Sequence, residues 1–182
     1  MSYYNAMKIV KESLPVQIIA ILVCIIGGSF LNLHIENFLA LPILLSFIPL
    51  INGIGGNISS VFGARLTSAL HIGSISRAND KELKENAVLF LVMGFLVFSI
   101  TALFIYLTSS YTYETVSWKI VLVPMFAGTM LVLFLIPVTL VVAFLSFKAG
   151  IDPDNVVMPA ITTIGDFAGI LLLLLGIKVI GI

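Results

Sequence analysis

An aspartate sits inside a run that otherwise reads as membrane-spanning. Asp166 lies near the middle of Val156–Ile182, a stretch of almost wholly apolar residues. A carboxylate at the centre of a membrane helix costs about 2.5–3.5 kcal/mol on insertion scales. Such residues face a cavity or a partner, and they mark ion or proton paths. The competing reading is a structural acid, protonated or hydrogen-bonded to a neighbouring helix. A second polar set interrupts an earlier apolar run: Asn52, Gly53, Gly55, Gly56 and Asn57 follow Pro49. Glycine lets backbones approach closely or leave helical geometry. Irregular backbone at membrane depth is tolerated only where protein buries it or where it lines a wet cavity. Freed carbonyls and the Asn57 amide would then suit a cation. Helix packing competes here too, since Gly56 and Ser60, and Ser59 and Gly63, are small residues four apart. Packing accounts for the glycines but poorly for Asn52 and Asn57.

The run around Asp166 has its own pattern. Met158, Thr162, Asp166 and Ile170 share a face at helical spacing four. Thr163 and Gly169 flank that face, so a polar stripe with a smooth edge is expected, as for a pathway wall. A membrane threonine can instead bond back to its own backbone. Gly150-Ile151-Asp152-Pro153-Asp154 leads into this run. Asp152 or Asp154 suits a helix N-terminus as a cap, and both would also attract cations at a pore mouth.

The elements that must position these residues are membrane helices. Hydrophobic residues make up 60% of the chain and charged residues 10%, against about 25% charged in a soluble domain. Basic and acidic side chains cancel at nine each, so no basic surface invites nucleic acid. The single Cys24 excludes an intrachain disulfide. The first apolar stretch is long enough to span and lacks a small-residue cleavage site, which argues against a cleaved signal peptide. Charge-free runs predict five spans: 14–33, a second from about Phe38 past Arg65 toward His71, 87–107, 120–147 and 156–182. Pro124 and Pro137 predict bends in the fourth. The fold class is thus an all-α integral membrane protein with five transmembrane helices. A short segment, 1–13, precedes a single membrane domain over 14–182. That segment reads either as an interfacial amphipathic helix, with Tyr3, Ala6, Met7 and Val10 on one side, or as an extension of the first span.

Basic residues set the expected orientation. With the N-terminus inside, Lys8, Lys11, Arg65, Arg77, Lys81, Lys84 and Lys148 lie at cytoplasmic ends, and only Lys119 and Lys178 lie outside. The C-terminus is then outside. Trp118, Tyr106, Tyr111 and Tyr113 suit the outer interface. The charged run 77–85 reads as a solvated loop in which Asn79 or Asp80 caps the third helix.

Together these residues resemble the membrane domain of the MgtE magnesium transporters and their eukaryotic solute-carrier relatives. The resemblance rests on Gly55-Gly56-Asn57, on Gly150-Ile151-Asp152-Pro153, and on the Thr162-Thr163…Asp166…Gly169 helix, in that order. It implies a homodimer of ten helices with a pore at the two-fold axis. It further implies passage of divalent cations, chiefly Mg2+, with the fifth-helix acid, here Asp166, binding the ion at the centre and with Asn57 as the matching second-span asparagine. It places the chain in a plasma or inner membrane. MgtE proteins usually carry large cytosolic sensing domains, and the short segment ahead of the first span leads us to expect no such gating domain in this chain.

Ion chemistry fits the same residues. Magnesium prefers oxygen ligands and keeps several waters. Two Asp166 copies across a two-fold axis balance one divalent ion, with Asn57, Thr162 and backbone carbonyls holding hydrating waters. A cation-coupled exchanger driven by Na+ or H+ is the alternative to a channel. A non-transporting scaffold subunit explains the small size but not Asp166. Gly165-Asp166 also resembles the motif of intramembrane aspartyl proteases, but an enzyme of that kind needs a second membrane aspartate.

Overall fold

The computed structural model describes residues 6–39, 43–75, 80–112 and 117–182. Tyr3, Arg77, Asn79, Tyr113 and the side chain of Tyr111 lie outside the described residues. The described chain forms α1 (Ala6–Leu33), α2 (Ile35–Leu39), α3 (Ile43–His71), α4 (Lys81–Thr112), α5 (Leu122–Lys148) and α6 (Val157–Ile180), with 3-10 turns at Trp118–Val121 and Pro153–Asn155. Among the described residues, five helices are long and apolar enough to cross a membrane: α1, α3, α4, and α5 and α6 with their preceding turns.

Hydropathy located the spans, but their ends differ from those expected. Phe38 lies in α2, which is described to Leu39, and α3 is described from Ile43 to His71, as far along as expected. The third span extends in both directions, to Lys81 and Thr112, because charged and hydroxyl residues continue a helix once its apolar centre is laid down. The N-terminal segment, from Ala6 onward, is the first part of α1 rather than a separate helix. Pro124 falls in the first turn of α5, where its missing N–H has no helical partner to lose. Pro137 sits inside α5, which stays one continuous helix.

Contacts between distant residues define the topology. Gly63 of α3 faces Val157 and Ile161 of α6, while Gly169 of α6 faces Asn52 of α3, so the two helices run antiparallel. Gly94 of α4 meets Val132 of α5, and Gly128 of α5 meets Phe98 of α4. Gly165 of α6 meets Leu135, and Gly176 meets Val123 and Phe126, which makes α5 and α6 antiparallel as well. These pairs are steric notches. A Cβ at Gly55 would lie 2.5 Å from Leu131, and one at Gly128 would collide with the Phe98 ring. In lipid no hydrophobic force draws helices together, so close packing of small against large residues does.

α3, α5 and α6 form the centre, with α4 against α5 and α3. The core residues Phe47, Ile51, Leu131, Leu135, Ile161 and Leu173 are fully buried among them. α1 packs chiefly on α6. Only 11% of its span is buried, against 44% for α6, so α1 is a peripheral helix within one chain.

Candidate functional site

α3 and α6 together build one polar face. On α6, Met158 and Thr162 are exposed and Asp166 is half-buried. On α3, Gly53, Asn57, Val61 and Arg65 are exposed at spacing four. The stripes adjoin, because Gly56 meets the Thr162 methyl: a Cβ there would come 3.7 Å from it. Among the described residues, Asn57 and Thr162 are therefore exposed on adjoining stripes, with Asp166 half-buried one turn along α6 from Thr162.

Asp166 opens into a crevice of about 410 Å3 between α1, α3 and α6. Cys24, Gly27 and Gly28 line it from α1, Asn52 and Gly53 from α3, and Phe167 from α6. Asn52 Nδ2 donates a hydrogen bond to the Asp166 backbone carbonyl at 3.2 Å. Asn52 Oδ1 is buried without a partner and fills the notch at Gly169, where a Cβ would collide with it.

The expected site residues thus divide. Asp166, Asn52, Asn57 and Thr162 reach the crevice or the open face. Gly55 and Gly56 are buried and serve close packing against Leu131 and Thr162. Thr163 is buried, and its hydroxyl donates to the Pro159 carbonyl at 2.8 Å. The Thr162 hydroxyl donates to the carbonyls of Met158 and Pro159, so both threonines bond back to their own helix. Thr162 is nonetheless exposed, and a hydroxyl oxygen that donates can still accept.

At the other end of α6, a polar cluster ties three elements together. Asp152 Oδ1 accepts from the Asp154 backbone N–H at 3.1 Å and so caps the Pro153–Asn155 turn. His71 Nε2, at the end of α3, lies 3.3 Å from the same oxygen. Glu12 Oε2 of α1 accepts from the Asp152 backbone N–H and from Asn155 Nδ2, at 3.2 and 2.8 Å. Reading the sequence missed Glu12, His71 and the α1 wall of the crevice. The available signals were faint: a lone acid ahead of a span, and the Gly27-Gly28 pair inside it.

Comparison with known proteins decides the family. The MgtE family, described as a divalent cation transporter, matches residues 48–176. The chain belongs to the MgtE family. The matched segment contains both Asn52–Asn57 and Asp166, whereas α1 lies ahead of it. Solute carrier family 41 member 3 of Rattus norvegicus is 30% identical over 187 residues, covering 93% of this chain and 40% of that protein. Solute carrier family 41 member 2 of Mus musculus is 29% identical over 178 residues, covering 87% of this chain and 30% of that protein. The chain spans less than half the length of these relatives. MgtE membership argues against the protease reading. So does the chemistry, since among the described residues Asp166 is the one acid deep within a spanning helix.

Proposed function

We propose that this chain carries divalent cations, Mg2+ foremost, across the membrane as a homodimer, with both copies of Asp166 beside a pore on the two-fold axis. One observation carries the reading. Asn57 and Thr162 are exposed, and Asp166 opens into a crevice, on helices long and apolar enough to span a membrane, where lipid cannot satisfy polar groups. A second copy set against these residues would enclose the polar stripes around a wet path and leave the apolar helices toward lipid. A closed two-fold dimer is the commonest oligomer. Two carboxylates then offset one divalent charge.

Mg2+ sheds water reluctantly and binds through few direct ligands. Its waters are hydrogen-bond donors, and the open face presents acceptors: the Asp166 carboxylate, the Asn57 amide oxygen and the Thr162 hydroxyl oxygen. Low dielectric strengthens the attraction between carboxylate and ion. The chain is oriented with its N-terminus in the cytoplasm of a plasma or inner membrane, so Asp152 and Asp154 stand at the cytoplasmic mouth.

The test is Mg2+ flux into liposomes, with and without a Na+ or proton gradient. Flux in both conditions supports a channel, and flux only with a gradient makes the protein an exchanger. No flux from a well-folded preparation makes it a scaffold. Mass measurement in mild detergent and in lipid reads the assembly, and a monomer in both sinks the two-fold pore.

A further inference from the structure

Packing does not explain Asn52. Its amide oxygen is buried and unpartnered, a liability that a leucine of similar size would avoid. Its amide nitrogen is spent on a carbonyl, that of Asp166, which already lies within a continuous helical ladder. The hydrogen bond is therefore surplus to the secondary structure of α6. What it adds is direction. Apolar helices in lipid can slide and rotate against one another, whereas a hydrogen bond between them pins height and rotation. This one acts on the residue whose carboxylate faces the crevice. The notch at Gly169, one turn on from Asp166, exists in register with it, since any side chain there would evict the Asn52 amide.

We propose that Asn52 is a positioning residue for the ion site: through the Asp166 carbonyl it sets the pitch of α6 against α3 and so aims the carboxylate into the path. This rests on Asp166 being the ion-binding group. Gly169 is the complementary half of the device. A carboxylate held at one angle suits a small, rigidly hydrated ion, and a loosened one favours larger, more adaptable ions such as Ca2+. The proposal therefore concerns affinity and selectivity, not only fold.

The experiment reconstitutes the full chain with Asn52→Leu and with Asn52→Ala. Flux is measured against Mg2+ concentration, and Mg2+ is competed with Ca2+. We expect the half-saturating Mg2+ concentration to rise about tenfold, as when residues that orient a metal ligand are lost, with a smaller change in maximal rate. Preference for Mg2+ over Ca2+ should fall. Gly169→Ala should disrupt through its collision with Asn52. Gly169→Ala combined with Asn52→Ala should recover folding yet keep the raised half-saturation of Asn52→Ala. A merely structural Asn52 would lower the melting temperature and leave half-saturation and selectivity at wild-type values in the folded fraction. That result overturns the proposal. If Asp166→Asn transports normally, the ion-site reading itself fails. If Asp166→Asn is inactive while both Asn52 variants keep wild-type half-saturation and selectivity, only the positioning role fails.

Discussion

Glu12 of α1 and Asn155, in the 3-10 turn ahead of α6, are joined by a 2.8 Å hydrogen bond between residues far apart in the chain. The same Glu12 oxygen accepts the Asp152 backbone N–H. One carboxylate thus fastens the peripheral helix to the turn that leads into the Asp166 helix. Lys8 Nζ lies 3.6 Å from the other Glu12 oxygen, but the Lys8 side chain is 57% exposed.

Glu12→Ala should therefore destabilise the protein. Hydrogen bonds to charged groups contribute about 1.5–3 kcal/mol each, and two are lost here. Lys8→Ala should change little, because exposed ion pairs contribute about 0–1 kcal/mol. Melting temperatures of the two variants in one detergent check this, and equal temperatures would contradict it.

Asp166→Asn should fold and lose most of its Mg2+ flux. The amide keeps an oxygen acceptor and removes the charge that offsets desolvation of the ion. Ligand binding protects the folded form by mass action, about 2.7 kcal/mol at a hundred times Kd. Mg2+ should thus raise the melting temperature of the wild type and much less that of the variant. Asp166→Glu should bind and conduct slowly, since its longer side chain narrows the passage. Wild-type flux from folded Asp166→Asn would refute the assignment.

The glycines should separate by what stands opposite them. Gly55→Ala and Gly128→Ala meet Leu131 and Phe98, and overpacking of this kind costs about 1–3 kcal/mol. At Gly28 nothing lies within 4 Å, and alanine there should be neutral or gain about 0.5–1 kcal/mol in helix stability. Thermal unfolding of the three variants side by side tests the ordering.

Orientation is open to labelling. Cys24 is exposed, so it is first replaced by serine. A cysteine at Lys84 should then resist a membrane-impermeant thiol reagent in intact cells and react after permeabilisation. Reaction in intact cells would reverse the topology.

The five spans and the placement of Asp166 inside one of them were legible in the sequence. Each is a property of a run: a charge-free stretch must be long enough for the bilayer, and an acid within it is costly wherever its neighbours lie. The family resemblance was legible too, because Gly55-Gly56-Asn57 and the Thr162–Gly169 pattern are local strings. Span ends were less so. The reach of α4 to Lys81 turns on residues that hydropathy ranks ambiguously. Only the tertiary structure decided what each polar side chain does. Thr162 and Thr163 are adjacent in sequence, yet one is exposed and the other buried, because successive residues of a helix point to different sides. Asn52 and Glu12 take partners on α6 and on the turn before it. No periodicity could announce those pairings. They depend on which notch receives which side chain, Gly55 under Leu131 or Gly169 under Asn52, and that match of shapes exists only once distant helices have met.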